Sequence, residues 1–289
     1  MRENDYKTTY SGFTKFVLWG TIAVIILLVI LVVNKYQMKI HYEKFNNSGI
    51  IAKSRNLGLK ISKGEWVCFL DADDKWMEEK LELTYKKIIK NKFDVICNSE
   101  WIKYINEPIK GLWCYGPFKK KNFYKEMLLF GNKMSTSATT IKKSFLINNK
   151  LTFSEKKEFI SCEDYDLFLN IAKQGGTFHF INKPMGVRLI HASSTSSKKE
   201  FHQKSYLNVL NSHILKMKFD KKKIERILLY EKTKYQFILL FNEKYKMSFF
   251  LNLFVNFIKN PISVIQIFGR LSLIFIKQKI LLLKYKKYF

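Results

Sequence analysis

The sequence predicts an α/β protein: an open sheet with flanking helices, preceded by a membrane-spanning helix and followed by a helical tail. Three observations carry this. Residues 16–33 form one apolar run without a charge. Residues 34–197 alternate short apolar stretches with helix-period segments and turn signals, the pattern of an α/β domain. Residues 198–289 have a helical pattern with few breakers and hold 20 Lys/Arg against 5 Asp/Glu.

The apolar run has 18 residues, about 27 Å as a helix, just enough for a bilayer core. Strands seldom exceed about ten residues, which places the spanning helix ahead of a buried strand. No small-x-small cleavage site follows, which argues against a removed signal peptide. Arg2, Lys7 and Lys15 precede the run, and Lys35, Lys39, Lys44 and Lys53 follow it. This balance leans towards a cytoplasmic downstream domain at the cell membrane.

Within 34–197, Met38, Ile40 and Tyr42 alternate with Lys39 and His41, as in a strand with one buried face. Asn46-Asn47-Ser48-Gly49 is a turn and helix-start signal, and 50–61 reads as a helix stopped near Gly64. Residues 66–70 are compact and apolar, as in a strand buried on both faces. Met77, Leu81, Tyr85 and Ile88 then recur at helical spacing behind Asp74, which is placed to cap that helix. A further strand is expected at 93–97 and a helix at 161–173, ended by Gly175-Gly176. Two strands, 178–181 and 185–190, are expected on either side of Pro184.

Composition bounds the function. Across 289 residues, 47% hydrophobic and 26% charged content excludes disorder and simple repeats. Cys68, Cys97, Cys114 and Cys162 lie far apart without a C-x-x-C pair, so neither a zinc cage nor a disulfide framework is indicated. A formal charge of +27 calls for an acidic partner. Most of the excess lies in the last third, which is also rich in Phe, Leu and Ile, and so favours an anionic membrane surface over nucleic acid. In that tail Ser263, Gln266, Arg270, Lys277 and Lys284 make a polar stripe opposite Phe268, Leu271, Ile274 and Leu281. Such a helix lies in the headgroup boundary or packs on the protein's own core.

Two acidic clusters could carry chemistry. Asp71, Asp73 and Asp74 directly follow a strand, where open α/β sheets gather ligands. Their repulsion asks for a cation or for helix-start amides, and hard oxygen donors suit Mg²⁺ or Mn²⁺. The other reading leaves Asp71 and Asp73 solvated. Glu163, Asp164 and Asp166 open a helix, where one carboxylate could act as a general base. Ser161 with Asp164 equally resembles a capping box. Gly49 to Asn56 forms a helix start whose amides could face a diphosphate, with Arg55 as counter-charge. Arg188 and His191 follow a strand and could reach the same cleft.

These pieces together resemble the family 2 glycosyltransferases of the GT-A fold. The resemblance rests on Asn47-x-Gly49, Arg55-Asn56-x-Gly58, and Gly64-Glu65-Trp66-Val67-x-Phe69-Leu70-Asp71-Ala72-Asp73-Asp74-x-Trp76 with Lys80-Leu81-Glu82. Glu163-Asp164-Tyr165-Asp166-Leu167 and Pro184-Met185-Gly186-x-Arg188-x2-His191 follow in the same order, over roughly 35–200. It implies inverting transfer of a sugar from a nucleotide-sugar, a UDP-sugar by preference, to a hydroxyl of a glycan or lipid-linked acceptor. It assigns Asp71, Arg55 and Arg188 to the nucleotide, Asp73 with His191 to Mn²⁺ or Mg²⁺, and Asp164 to the base. The family's usual first strand, its Pro-x-Tyr-Asn turn and its Asp-Asp-Gly-Ser segment have no counterpart in 1–45, where the apolar run stands. The implied fold is therefore an incomplete, Rossmann-like GT-A sheet with an open edge beside 66–70. A membrane helix fused to a shortened domain, a disrupted gene, or the run serving as a core strand would each produce this. The alternative function is an inactive remnant acting as a membrane-attached scaffold.

Overall fold

The computed structural model describes residues 40–90, 92–116, 122–191 and 198–215, with the single positions 265 and 269. The expected spanning helix at 16–33 and the amphipathic tail helix at 262–283 lie outside the described residues, apart from those two positions. The chain divides into two compact units, residues 1–46 and 47–289. In the first, the described residues 40–46 carry no regular element, and His41 bonds Glu43 at 2.9 Å. The expected strand is therefore absent from 40–42, and Ile40 and Tyr42 are exposed. Alternation marks a face, but a strand also needs a hydrogen-bonded neighbour, and none pairs with these residues among those described.

The second unit holds a six-stranded sheet among the described residues, ordered β1-β5-β3-β6-β2, with β4 added to β3. Its strands are β1 (Trp66–Cys68), β2 (Lys75–Trp76), β3 (Val95–Tyr104), β4 (Ile109–Trp113), β5 (Thr139–Lys142) and β6 (Phe178–Ile190). The helices are α1 (Ile51–Ile61), α2 (Lys80–Lys90), α3 (Phe123–Phe130), α4 (Lys143–Asn148), α5 (Glu163–Lys173) and α6 (Lys199–Ile214). The pair β3–β6 is parallel, and the other pairs are antiparallel. The expected α/β class is thus present.

α1 begins after a turn in which Ser48 and Gly49 both take positive φ and Asn47 Oδ1 accepts from the Gly49 N–H at 2.9 Å. β1 departs from expectation. It is three residues long, only half-buried, and stands at the end of the sheet with β5 as its partner. An apolar run reads alike at an edge and at a centre, because periodicity reports composition and not neighbours.

Two further expectations are corrected. Pro184 does not divide two strands: β6 runs through it, and the register against β3 shifts between Asn98 and Trp101. The irregularity absorbs a residue that cannot donate to the ladder. α2 also turns a different face inward: Leu81 and Tyr85 are exposed, while Lys80 and Thr84 are buried. The core lies between the sheet and α5, where Tyr165, Leu167, Phe168, Leu169 and Ile171 are fully buried. α6 closes it with Val209, Leu210 and Ile214.

Candidate active site

The turn after β1 carries the first acidic cluster. Asp74 N–H donates to the Asp71 carbonyl at 3.0 Å, closing a turn that leads into β2 rather than a helix. Asp74 therefore does not cap α2, which starts six residues later. Its Oδ1 accepts from the Leu189 N–H at 3.0 Å and so fixes the end of β6 to this turn. Burial pushes the Asp74 carboxyl above its ordinary range. Two residues beyond Leu189, His191 Nε2 donates to Asp73 Oδ2 at 2.8 Å.

Arg55, on the second turn of α1, joins the two acidic clusters. Its Nη2 donates to Asp71 Oδ1 and its Nη1 to Glu163 Oε1, both at 2.6 Å. Burial alone would lower the guanidinium pKa, but Asp71, Glu163 and Asp164 outweigh it and hold Arg55 above its ordinary value. The ring of Phe153 lies 5.3 Å from its Cζ and limits its movement. The neighbouring Asn56 fastens α1 from the other side, exchanging bonds of 2.9 Å with the Phe153 backbone N–H and carbonyl.

α5 opens at Glu163, and the alternative reading of Ser161 with Asp164 as a capping box is not what forms. Ser161 has φ of 75°, and its Oγ lies 3.1 Å from His202 Nδ1. Cys162 is the residue before the helix and makes no side-chain cap. The three acids of this turn separate by direction. Glu163 meets Arg55, and Asp166 turns into the core, where His213 Nε2 donates to it at 2.8 Å. Asp164 Oδ1 accepts from the Tyr165 N–H at 2.7 Å, and Oδ2 from Thr136 Oγ1 at 3.2 Å.

The buried loop Ser135-Thr136-Ser137, unread in the sequence, lies between the clusters. Ser137 Oγ accepts from the Asp71 N–H at 3.0 Å, and its carbonyl accepts from Trp76 Nε1 at 2.8 Å and Lys80 Nζ at 2.6 Å. Asp71 and Asp164 are thus joined by two routes, through Arg55 and Glu163 and through consecutive residues of one loop. Beneath lies a second polar group. Lys80 also donates to Asn98 Oδ1 at 2.9 Å, and Tyr115 OH donates to Glu100 Oε2 at 2.7 Å. Burial lowers the Lys80 pKa and raises that of Glu100. Arg188 belongs to this group: Tyr115, Glu100 and Asp74 raise its pKa against the opposing effect of burial. Arg55, Asp71, Asp164, Asp73 and His191 are therefore tied to the strand-end turn and the start of α5, whereas Arg188 is tied to the polar group below. No side-chain pattern in the sequence announced Thr136, Ser137 or Glu100; only the placement of Lys80 inside the quoted motif marked it.

Among the described residues no group of three or more His, Cys, Asp and Glu side chains is arranged to hold a metal ion. Asp73 and His191 bond each other at 2.8 Å, and a cation here would take the place of that bond, with Nε2 deprotonated. Mg²⁺ commonly takes one or two carboxylates and completes its shell with water and substrate phosphate, so this pair fits a cation that arrives with a diphosphate.

A carboxylate turn at the end of β1, joined through Arg55 to a second acidic cluster at the start of α5, is the kind of strand-end site at which α/β sheets gather ligands. Residues 31–145 match the family model described as Glycosyl transferase family 2. Over these residues the chain is similar to the family 2 glycosyltransferases. Residues 2–33 match the model described as bacterial aa3 type cytochrome c oxidase subunit IV, over the apolar run. An uncharacterized glycosyltransferase of Haemophilus influenzae is 30% identical over 171 residues, 57% of this chain and 56% of that protein. The putative colanic acid biosynthesis glycosyl transferase WcaA of Escherichia coli K12 is 27% identical over 197 residues, 64% of each chain. The chain thus spans little more than half the length of one relative and under two thirds of the other. A crystal structure of S. aureus TarS in complex with UDP aligns with a TM-score of 0.45 and 20% identity, covering 76% of this chain and 63% of that one.

Proposed function

We propose that this chain transfers a sugar from a nucleotide-diphosphate donor, a UDP-sugar, to a hydroxyl of a growing surface polysaccharide or glycolipid, with inversion at the anomeric carbon. The observation that carries the reading is the Arg55 bridge, which gathers Asp71 and the start of α5 at one place. The match of residues 31–145 to the glycosyl transferase family 2 model supports the reaction class, and the name of the colanic acid relative supports a polysaccharide product.

In this reading Asp71 accepts from the nucleotide ribose. Arg55 neutralises Asp71 and Glu163, so that an anionic diphosphate meets less repulsion. Asp73 and His191 would hold Mn²⁺ or Mg²⁺ against the diphosphate oxygens; when bound, the ion offsets the charge that develops on the leaving group. Asp164 removes the proton as the acceptor oxygen bonds to the anomeric carbon. The carbon–oxygen bond to the diphosphate breaks, and the nucleoside diphosphate leaves with the electron pair. Attack from the face opposite the leaving group inverts the centre. We further propose that the apolar run and the basic tail hold the chain at the cell membrane, with the catalytic domain on the cytoplasmic side.

The test is UDP release from a panel of UDP-sugars, with and without Mn²⁺. Wild-type protein releases UDP only with the metal. Asp164→Asn lowers the rate by at least about a hundredfold, and Asp73→Ala removes the response to metal. Folded protein that shows neither turnover nor metal-dependent UDP binding by calorimetry overturns the reading in favour of an inactive scaffold. The open side of β1, which has no partner strand among the described residues, is the feature that favours this second reading.

A further inference from the structure

We infer that Thr136 is the positioning residue for Asp164, fixing which carboxylate oxygen meets the acceptor hydroxyl; this rests on the sugar-transfer reading above. A carboxylate on the first turn of a helix rotates among several orientations unless something holds it. Asp164 is held at both oxygens. Oδ1 accepts from the Tyr165 N–H of its own helix at 2.7 Å, and Oδ2 accepts from Thr136 Oγ1 at 3.2 Å.

The hydroxyl that does this is itself immobile. Thr136 is buried, and its carbonyl accepts from the Thr139 N–H at 3.0 Å. On either side, the Ser135 carbonyl accepts from Thr139 Oγ1 at 2.6 Å, and Ser137 bonds Asp71, Trp76 and Lys80. The loop therefore transmits the position of the donor-side turn to the base. An ionised carboxylate has about four lone-pair sites. Thr136 occupies one on Oδ2 and leaves its neighbour for the incoming O–H.

The experiment uses the full-length chain with Thr136→Val, which keeps the shape and removes the hydroxyl, and Thr136→Ser, which keeps the hydroxyl. UDP release from a UDP-sugar with water as acceptor gives kcat and KM, and calorimetry gives UDP affinity. A hydrogen bond to a charged group is worth roughly a ten- to hundredfold change. The expected result is a kcat loss of that size in Thr136→Val, with donor KM and UDP affinity within about twofold of wild type, and near-normal kcat in Thr136→Ser. Should Thr136→Val not fold, Thr136→Ala against Thr136→Ser reads the same hydroxyl. An unchanged kcat in Thr136→Val, equal losses with and without the hydroxyl, or a loss confined to UDP binding each overturns the assignment. A wild-type chain that neither binds UDP nor releases it defeats the sugar-transfer reading itself, an outcome separate from any of these.

Discussion

Arg55 lies between two carboxylates, Asp71 and Glu163, that come from distant parts of the chain, and its side chain is largely shielded from water. The two arms differ in worth. Glu163 is almost fully buried, so removing its partner leaves an uncompensated charge away from solvent. The Asp71 side chain is 38% exposed, and water screens much of that arm. Arg55→Met is therefore expected to destabilise the fold by about 3 kcal/mol, nearly all through Glu163. Arg55→Lys cannot serve both carboxylates in one plane and should fall between the two. Urea unfolding of the full chain reads both changes. An unchanged midpoint in Arg55→Met would show that the bridge contributes nothing. The resemblance assigns Arg55 to the nucleotide; the geometry commits both ends of its guanidinium to protein carboxylates first. Glu100 and Lys80 make the complementary point. Charged residues buried in the sheet's floor look like surface residues in a sequence, because burial depends on partners that come from elsewhere in the chain.

At the scale of elements, α6 shows what pattern reading misses. Its sequence mixes polar and apolar residues without a strong face, yet Val209, Leu210 and Ile214 are fully buried against the core. His213 bonds Asp166 of α5 at 2.8 Å and lies 3.2 Å from the Tyr124 hydroxyl of α3, so one imidazole ties three helices. Leu210→Ala is expected to cost about 3 kcal/mol, the usual scale for a large-to-small change in a packed site, as a lower thermal midpoint. A shift of under a degree would place α6 outside the folded unit. The elements legible in the sequence were those with local signals: α1 by its Asn-Ser-Gly turn, α5 by its acidic start and Gly175-Gly176 stop, and the strand content of 66–68 and 95–97. Those that failed depended on neighbours. α2 was expected to bury Leu81 and Tyr85, but Lys80 finds Asn98 and the Ser137 carbonyl and takes the inner face instead. β4, β5 and the Ser135–Ser137 loop have no periodic signature, and the loop's importance arises only because β5 pairs with both β1 and β3. The candidate site was legible as two acidic clusters, and its connection through Thr136 and Ser137 was not.

For the whole molecule the dominant quantity is charge. A net +27 on 289 residues acts over distances set by ionic strength, about 10 Å at 0.1 M and about 3 Å at 1 M salt. An apolar run that enters a bilayer responds differently, because hydrophobic insertion does not weaken with screening. These two contributions to the proposed membrane attachment can therefore be separated in one experiment. Full-length protein is mixed with vesicles of zwitterionic lipid alone or with added anionic lipid, then sedimented at increasing salt. The expected outcome is stronger retention on the anionic vesicles at about 0.05 M salt, with the difference closing towards 1 M. A fraction that stays on both kinds of vesicle throughout measures the share of the apolar run. DNA added as competitor should not release the protein, since the last third pairs its basic excess with Phe, Leu and Ile rather than with a nucleic-acid groove. Release by DNA at low salt would transfer the charge argument from lipid to nucleic acid. It would leave the carboxylate site untouched, because that site rests on Arg55, Thr136 and Ser137 and not on the net charge.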